Sequence, residues 1–233
     1  MNKTQVMTLL EANKNEKGVQ KWENGGAKTS ALKSFGIGLT ALRKLAKEVG
    51  RDHVLAQELW ESNVYDARVI ALLIDNPKKI SREQAEAQIE ELDHGQLAHV
   101  FSSCDATLAK APFVVQIASD WIKNEDAMRR RCGYGLLYEI SKSKKKSAPD
   151  DAFFLDHITH IEQSFSSEER SVHHAMGVAL MGIGMRNPTL HAAALQAGKK
   201  IGPFEIETAG GKCEPFDVIK HLTHDLVKRR LGL

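Results

Sequence analysis

The sequence predicts an all-α fold in which HEAT/armadillo-like helical repeats stack into a superhelix (solenoid). Apolar residues recur at spacings of three and four along most of the chain, which is the period of amphipathic helices. Short breakers separate these segments, and successive helix pairs begin roughly 35–45 residues apart, the length of a HEAT-like repeat. An irregular helical bundle is the competing architecture, because sequence similarity between the repeats is weak.

The predicted helices follow one another from the N-terminal region to the C-terminal region. After an N-terminal helix, the first clear apolar stripe consists of Leu39, Leu42, Leu45, Ala46 and Val49. Comparable stripes run through Val54-Leu55-Leu59, Val69-Ile70-Leu73, Ala85-Ile89-Leu92, Val114-Ile117-Trp121, Met128-Cys132-Leu136-Ile140, Phe154-Ile158-Ile161, Val172-Met176-Leu180-Ile183, Leu190-Ala194 and Val218-Leu222-Leu226. The pattern therefore predicts about eleven helices.

Glycine, proline and capping residues mark the expected helix boundaries. Ser81-Arg82-Glu83-Gln84 and Ser166-Ser167-Glu168-Glu169 have the composition of helix starts, in which a serine side chain caps the first turn. Phe204 to Thr208 is the segment predicted to be extended, and Ala209-Gly210-Gly211 is predicted to form the turn after it. The breakers lie at Gly36, Gly38, Gly50, Asn76-Pro77, Ala111-Pro112, Ala148-Pro149 and Asn187-Pro188.

Composition and charge exclude several classes of protein. The 233 residues are 42% hydrophobic and 27% charged, a mixture that can bury a core and excludes wholesale disorder. Lys and Arg number 32 and Asp and Glu number 30, and the formal net charge of +2 excludes a histone-like polycation. We expect one domain over residues 1–233, with roughly the first 30 residues peripheral.

Hydropathy and cysteine usage predict a cytoplasmic protein. The longest nearly unbroken apolar run, Gly177 to Met185, has nine residues, whereas a membrane span needs about 20. The first residues lack the apolar stretch of a signal peptide. Cys104, Cys132 and Cys213 lie far apart without a CxxC pair, which is typical of free thiols in a reducing compartment.

Local motifs give no support for a cofactor, a metal or a hydrolase site. Gly25-Gly26-Ala27-Lys28-Thr29 lacks the first glycine and the strand of a P-loop, and we interpret it as a flexible polar loop. The pairs His157/His160 and His221/His224 could each offer two metal ligands, but neither belongs to a complete ligand set. The sequence has no GxSxG and no cysteine nucleophile signature. We therefore expect neither a cofactor nor a metal.

Clusters of basic residues indicate a different kind of site. Arg129-Arg130-Arg131 begins one predicted helix, and Lys142-Ser143-Lys144-Lys145-Lys146 follows the same helix. On that helix Arg131, Tyr134 and Tyr138 fall within a sector of roughly 60°. A cation beside two aromatic rings suits phosphate and stacking contacts to nucleic acid. Alternatively, the arginine stem packs on core tyrosines while its head meets a carboxylate, and the lysines form a solvated loop.

Four segments form a specific pattern through their order and spacing. They are Phe35 to Lys47, Leu59 to Ser62 with Asp66 to Ala71, Arg130 to Gly133, and Ile183 to Pro188 followed by Lys199 to Gly202 and Gly211 to Pro215. The first resembles a glycine turn followed by an LRKLAK-type helix, and the third resembles an RRAG-type helix start. Together, over roughly residues 30–225, they resemble the DNA alkylation repair family, which includes alkylpurine DNA glycosylases.

The resemblance implies a right-handed solenoid whose basic concave groove lies along duplex DNA. In glycosylases of this family an Asp and two Trp lie against the damaged nucleotide, and an Arg contacts the DNA backbone. The carboxylate stabilises the positive charge that develops as the bond to a cationic alkylpurine breaks. Aligned on Ala111-Pro112-Phe113, the positions of the first Trp and the Asp fall on Leu97 and Phe101, and that of the second Trp falls on Val178.

The sequence thus predicts a protein that keeps basic residues for DNA but lacks the groups for efficient glycosylase chemistry. The catalytic residue is unknown, and Asp105, one helical turn beyond Phe101, is the nearest carboxylate. The expected partner is double-stranded DNA, including damaged or distorted DNA. One alternative is an active glycosylase that excises cationic N-alkylated purines, and another is a scaffold that binds a protein partner. The residues expected to bind DNA are Arg130, Arg131, Tyr134, Lys144 and Lys145.

Overall fold

A computed structural model describes residues 1–24, 31–92, 95–206 and 214–233. Over these residues the chain forms fourteen α-helices and two short 3₁₀ helices, and it divides into two compact units, Met1–Phe113 and Val114–Leu233. The polar loop predicted at residues 25–29, the end of the extended segment with its turn at residues 207–211, and Cys213 lie outside the described residues. Within the described ranges every helix is too short or too polar to cross a membrane.

Over its described residues the first unit contains seven α-helices, and α5 lies at its centre. The helices are Lys3–Ala12 (α1), Glu16–Asn24 (α2), Leu39–Val49 (α3), His53–Trp60 (α4), Tyr65–Ile74 (α5), Arg82–Glu90 (α6) and Gly95–Ser102 (α7). The α5 sequence is apolar on most faces, and it is covered by α1, α3, α4 and α7. A helix that is apolar all round must be covered on several sides, which explains its central position. The N-terminal helix α1 contributes the fully buried Val6 and Leu10.

The second unit contains stacked helix pairs. Its helices are Val114–Ile122 (α8), Ala127–Ser141 (α9), Asp151–Ser164 (α10), Arg170–Gly184 (α11), Pro188–Ile201 (α12), Val218–Leu222 (α13) and Asp225–Leu231 (α14). The helix α9 packs against α8 and also against α11, and α12 packs against both α10 and α11. Both α9 and α12 therefore contact a helix adjacent in the chain and the equivalent helix of another pair, which is the arrangement of stacked helical repeats.

A buried carboxylate holds the predicted glycine turn of the first unit. Asp66, at the start of α5, accepts hydrogen bonds from the Ser34 hydroxyl (2.9 Å), the Phe35 amide (2.7 Å) and the Ile37 amide (3.0 Å). Burial raises the pKa of Asp66, and these hydrogen bonds act in the opposite direction. Gly36 has a φ of +71°, and a Cβ there would meet the α2 backbone, so only glycine fits.

The two predicted capped helix starts have different outcomes. The Ser81 hydroxyl accepts a hydrogen bond from the Gln84 amide at 3.1 Å, and α6 begins at Arg82 as predicted. The second prediction is wrong, because Phe165–Ser167 forms a 3₁₀ turn and α11 begins only at Arg170. The Glu168 carboxylate accepts hydrogen bonds from Arg130, which lies on a different helix.

Pairing between extended segments is confined to two isolated bridges in the described ranges. Phe204, at the start of the segment predicted to be extended, pairs with Phe216 in an antiparallel bridge with N–O distances of 3.1 and 2.8 Å. Lys33 and Val64 form a parallel bridge in the first unit. These bridges do not grow into a sheet within the described residues, so the prediction of an all-α fold is confirmed for that part of the chain.

Candidate nucleic-acid interface

The arginine cluster lies in the first turns of α9, which Asp126 caps by accepting a hydrogen bond from the Arg129 amide at 2.8 Å. The Arg130 guanidinium donates to both carboxylate oxygens of Glu168, at 2.7 and 2.8 Å, and to the carbonyl oxygens of Asn124 and Glu125. Only 17% of the Arg130 side chain and 7% of the Glu168 side chain are exposed. Arg130 therefore joins the start of α9 to the residues that precede α11.

Each member of this ion pair stabilises the charged form of the other. The hydrogen bonds that Arg130 donates to Glu168 raise the pKa of Arg130 despite the opposing effect of burial. Burial of Glu168 disfavours its charged form, but the hydrogen bonds from Arg130 and the Glu169 amide outweigh it and lower the pKa of Glu168. Both groups are therefore charged near neutral pH, and much of the Arg130 charge is offset before any DNA arrives.

The tyrosines of α9 belong to the packing of the second unit. Tyr134 is 1% exposed, and burial raises the pKa of its hydroxyl to about 12. Its ring therefore offers no open face on which a base could stack. Tyr138 is half-buried, and the Lys142 ammonium lies 4.5 Å from its ring centroid. Arg131 is half-buried, and its contact with DNA stays a prediction.

The predicted lysine run forms an exposed loop between α9 and α10. In this lysine loop, residues 142–149, the side chains of Lys144, Lys145 and Lys146 are exposed. The Arg186 guanidinium donates to the carbonyl oxygens of Ser141 and Ser143, the latter at 2.9 Å, where the loop begins. Besides Lys142, which pairs with Glu139, the loop thus carries three exposed lysines on a base held by Arg186.

Arg186 itself is held from a second side. Its guanidinium carbon lies 4.2 Å from the ring centroid of Phe154 on α10, in a cation–π contact. Burial lowers the pKa of Arg186, and Asp151 opposes this effect. An arginine this basic stays charged despite that shift, because its ordinary pKa is above 12. It can therefore hold the backbone of the lysine loop across the whole physiological pH range.

The segment with the candidate carboxylate lies in the first unit. Leu97 and Phe101 on α7 are fully buried, whereas the Asp105 side chain is 70% exposed and pairs with Arg43 at 3.4 Å. Cys104 and Asp105 both have a positive φ, of 59° and 69°, which non-glycine residues seldom adopt. The sharp turn after α7 therefore directs the Asp105 carboxylate to solvent, beside a cation.

In each predicted histidine pair, at least one ring makes a contact that supports the fold. His157 on α10 is buried beside Phe153, and burial, together with the nearby His160 and Lys123, lowers the pKa of His157 to about 4. The His224 ring nitrogen accepts a hydrogen bond from the Leu226 amide and caps α14. Over the described residues, no group of three His, Cys, Asp or Glu side chains is arranged to hold a metal ion.

The comparison with protein families decides to which group these features belong. Residues 6–210 match the family described as DNA alkylation repair enzyme, which covers most of the chain. The chain belongs to the DNA alkylation repair enzyme family. The resemblance seen in the order and spacing of the sequence segments is thereby confirmed.

Relatives within and around this family are distant in sequence. The chain is 25% identical over 227 residues to the uncharacterized protein Lin0241 of Listeria innocua, and 24% identical to the uncharacterized protein Lmo0209 of Listeria monocytogenes. Each alignment covers 94% of both proteins. The similarity therefore extends over nearly the full length of this chain and of both relatives.

A solved structure establishes the fold. It is described as a new family of proteins related to the HEAT-like repeat DNA glycosylases with affinity for branched DNA structures. It matches this alkylation repair family member with a TM-score of 0.84 and 22% identity, covering 100% of this chain and 97% of the other. The HEAT-like helical-repeat fold predicted from the sequence is therefore confirmed.

In this member of the alkylation repair family, two of the positions at which the sequence alignment expects a catalytic group are buried. Leu97 and Phe101 occupy the core of the first unit, and neither side chain carries a charge or reaches solvent. Val178, the remaining aligned position, is half-buried on α11 in the second unit. Apolar side chains at these positions cannot supply a carboxylate to a developing cation.

Sequence reasoning missed the supporting roles of Asp66 and Arg186. Both residues lie in segments that carry the family resemblance, but nothing in the spacing indicates that Asp66 holds the glycine turn or that Arg186 holds the lysine loop. An arginine followed directly by the helix start Asn187-Pro188 was the available signal, since a cation at a helix boundary often contacts the carbonyl oxygens of a neighbouring helix end.

Proposed function

We propose that this protein is a DNA-binding member of the DNA alkylation repair family that excises alkylated purines slowly or not at all. The observation that carries the proposal is the lysine loop, whose exposed cations stand on a base held by Arg186. Lysine side chains displayed in this way suit DNA phosphates, which attract protein cations irrespective of base sequence. The partner is double-stranded DNA, including distorted DNA, and we retain the predicted cytoplasmic location.

Branched DNA is the first distorted substrate to examine. The related structure is described as belonging to proteins with affinity for branched DNA structures, and its fold matches over the full length of this chain. Junctions and forks bring several phosphate backbones close together, so an exposed group of lysines gains more contacts there than on a straight duplex. We therefore expect tighter binding to a four-way junction than to a linear duplex of the same length.

Slow excision follows from the electrostatics of bond cleavage. Breaking an N-glycosidic bond leaves positive charge on the sugar, and a well-placed electrostatic stabiliser accelerates such a step by about 10²–10³-fold. The aligned position carries the buried, uncharged Phe101. The contribution of a carboxylate at this position is therefore expected to be missing.

An active glycosylase is the second candidate, and Asp105 is the observation that favours it. Its exposed carboxylate lies on a turn with positive φ, a conformation that is often associated with functional sites. Arg43, at 3.4 Å, partly offsets the negative charge that catalysis would use. We therefore keep DNA binding without efficient excision as the primary function.

DNA binding is tested by fluorescence anisotropy with a labelled four-way junction and a linear duplex. The double variant Lys144→Ala/Lys145→Ala should bind both DNAs about tenfold more weakly or worse, because two phosphate contacts are lost. The matched control is Lys78→Ala/Lys79→Ala, which removes two exposed lysines from a turn of the first unit. Equal affinity of the lysine-loop variant and the wild type would contradict the proposed interface.

Excision is tested in single turnover with duplex DNA that contains 7-methylguanine or 3-methyladenine. We expect release at the uncatalysed rate for both the wild type and Asp105→Asn, alongside measurable DNA binding. Rapid release that the Asp105→Asn substitution abolishes would favour the glycosylase instead. The same protein preparation is used in the anisotropy experiment, so loss of folding is distinguished from lack of catalysis.

A further inference from the structure

The first unit contains a cavity that neither the lysine loop nor Asp105 uses. Its volume is about 540 Å³, within the range of roughly 300–1,000 Å³ that small-molecule sites occupy. Its apolar lining residues are Val19, Trp22, Leu32, Phe35 and Val64. Lys33 and Lys14 contribute the cations of the lining, with Lys14 paired to Glu16 at 3.0 Å, and Glu23 is its acidic residue. The cavity thus combines aromatic surfaces with two lysine side chains.

The α2 wall of the cavity is only partly covered by the protein. The helix α2 contains no fully buried residue, yet Val19 and Trp22 turn their apolar side chains towards the cavity. Trp22 is half-buried, whereas the other two tryptophans, Trp60 and Trp121, are buried. An aromatic side chain that stays half-covered beside a cavity has apolar area left for a planar ligand.

The Trp22 ring is fixed in orientation. Its Nε1 donates a hydrogen bond to the Leu32 carbonyl oxygen at 3.2 Å, and its ring centroid lies 4.7 Å from that of Tyr65. Trp22 thus lines the cavity while its ring is held by contacts on two sides. A ring held in this way loses little conformational freedom when a ligand stacks on it.

The part of the lining formed by residues 33–35 is also held by hydrogen bonds. Phe35 follows Ser34, and both are hydrogen-bonded to the buried carboxylate of Asp66. The Phe35 carbonyl oxygen accepts a hydrogen bond from the Asn15 amide at 2.9 Å, just before α2. The backbone of Lys33 is hydrogen-bonded to Asn63 and Tyr65, each at 2.8 Å, so its side chain starts from a fixed point at the rim.

We propose that this cavity binds an unpaired nucleobase of DNA, which stacks on Trp22 while the adjoining phosphates contact Lys14 and Lys33. A base has two apolar faces and a neighbouring anionic phosphate, and the cavity supplies an aromatic surface and cations for them. Unpaired bases occur where DNA is branched or distorted, so this inference rests on the proposed function and adds a recognition site to it. Stacking of one base on an aromatic ring contributes about tenfold to affinity.

The test uses a duplex with one bulged 2-aminopurine and a fully paired duplex in which 2-aminopurine faces thymine. On binding the wild-type protein, we expect quenching of the bulged fluorophore and about tenfold tighter binding of the bulged duplex. Trp22→Leu should remove both effects and leave affinity for the paired duplex unchanged. Trp22→Phe, which keeps an aromatic face, should restore most of the preference for the bulge.

A second variant keeps the test independent of folding. Lys33→Ala removes a rim cation while the backbone hydrogen bonds of residue 33 remain, and Lys79→Ala removes an exposed lysine elsewhere in the same unit. The first should weaken bulged-duplex binding several-fold and the second should not. Wild-type protein that binds paired and bulged DNA equally, without quenching, would overturn this inference and leave DNA binding intact. Lack of binding to any DNA would refute the proposed function as well.

Discussion

Arg130 and Glu168 form a largely buried ion pair, and its two ends lie 38 residues apart in the chain. Arg130→Ala should reduce the free energy of unfolding by about 2 kcal/mol, because Glu168 then stays in the protein without its cation. Urea unfolding followed by circular dichroism measures the change, and Arg170→Ala, which removes an exposed arginine, is the matched control.

The same Arg130→Ala variant separates a structural role from DNA binding. Weakened DNA binding with unchanged stability would contradict the structural role and would support the contact predicted from the sequence. Arg131→Ala measured in parallel addresses the second predicted contact, because Arg131 lies beside Arg130 on α9.

His157 makes stability depend on pH in the acid range. Its pKa is lowered from 6.5 to about 4 in the folded protein, chiefly by burial, so folding favours the neutral ring. The resulting stability is complete above pH 6.5 and is lost as the pH falls towards 4. Between pH 7 and pH 4 the wild type should therefore lose about 2 kcal/mol more unfolding free energy than His157→Gln loses.

The measurement compares urea unfolding at the two pH values, with the exposed His221→Gln as control. Parallel pH profiles for the wild type and His157→Gln would show that His157 contributes nothing to acid sensitivity.

At the residue scale, the sequence could predict residue types but seldom their contacts. The charge of Arg130 and the ring of Tyr134 suggested a DNA-binding face, but their outcome depends on Glu168 and on the helices that cover α9. Such partners lie tens of residues away, and periodicity describes only one helix at a time. The exposure of Lys144 and Lys145 was easier to anticipate, because a run of lysines cannot be buried without partners.

The pair α8 and α9 approaches closely at Gly133. A Cβ on this residue would lie 2.8 Å from the Ile122 backbone nitrogen and 3.0 Å from the Ala118 carbonyl oxygen. Backbone atoms cannot move aside as a flexible side chain does, so Gly133→Ala should destabilise the protein by about 1–3 kcal/mol. Thermal unfolding measures this change. Gly38→Ala, where an added Cβ meets nothing within 4 Å, should be nearly neutral, and equal melting temperatures would contradict the prediction.

Element boundaries were predicted where the local sequence decides them. Ser81 caps α6 as expected, and α3 spans Leu39–Val49, matching the apolar stripe that indicated it. The start of α11 was missed, because the Glu168 carboxylate binds Arg130 instead of supporting an earlier start of the helix. The helices α2 and α14 bury no residue, which explains part of the excess of described helices over the eleven predicted. The helix α7 was also missed, although it buries Leu97 and Phe101.

The charge of the whole molecule makes the salt dependence of DNA binding informative. With a formal net charge of only +2, strong salt dependence must come from local clusters of cations. Three phosphate contacts, from Lys144, Lys145 and Arg131, give a slope of about −2.7 for log K against log salt. Affinity should then fall about 40-fold between 50 and 200 mM salt.

Titrations at several salt concentrations measure this slope. In Lys144→Ala/Lys145→Ala the slope should shrink to about −0.9, because one of the three contacts remains. A variant that keeps the wild-type slope would show that other cations contact the phosphates.

The fold of the whole molecule was more predictable than its sites. Stacked helical repeats depend on short-range periodicity and on breakers, which the sequence displays directly. Sites depend on which helix faces come together, as when Asp66, Ser34 and Phe35 meet beside Trp22. This information is absent from any single segment.

The C-terminal helix has a consequence for the motions of the protein. The helix α14 buries no residue, and Leu226 and Leu233 are largely exposed, whereas α9 and α11 bury long apolar stripes. Amides of α14 should therefore open and exchange with solvent deuterium at little free-energy cost, while those of α9 and α11 exchange only through much larger openings. Unfolding of the second unit should accordingly begin with detachment of α14. Detachment should lower the stability of the remaining repeats only slightly.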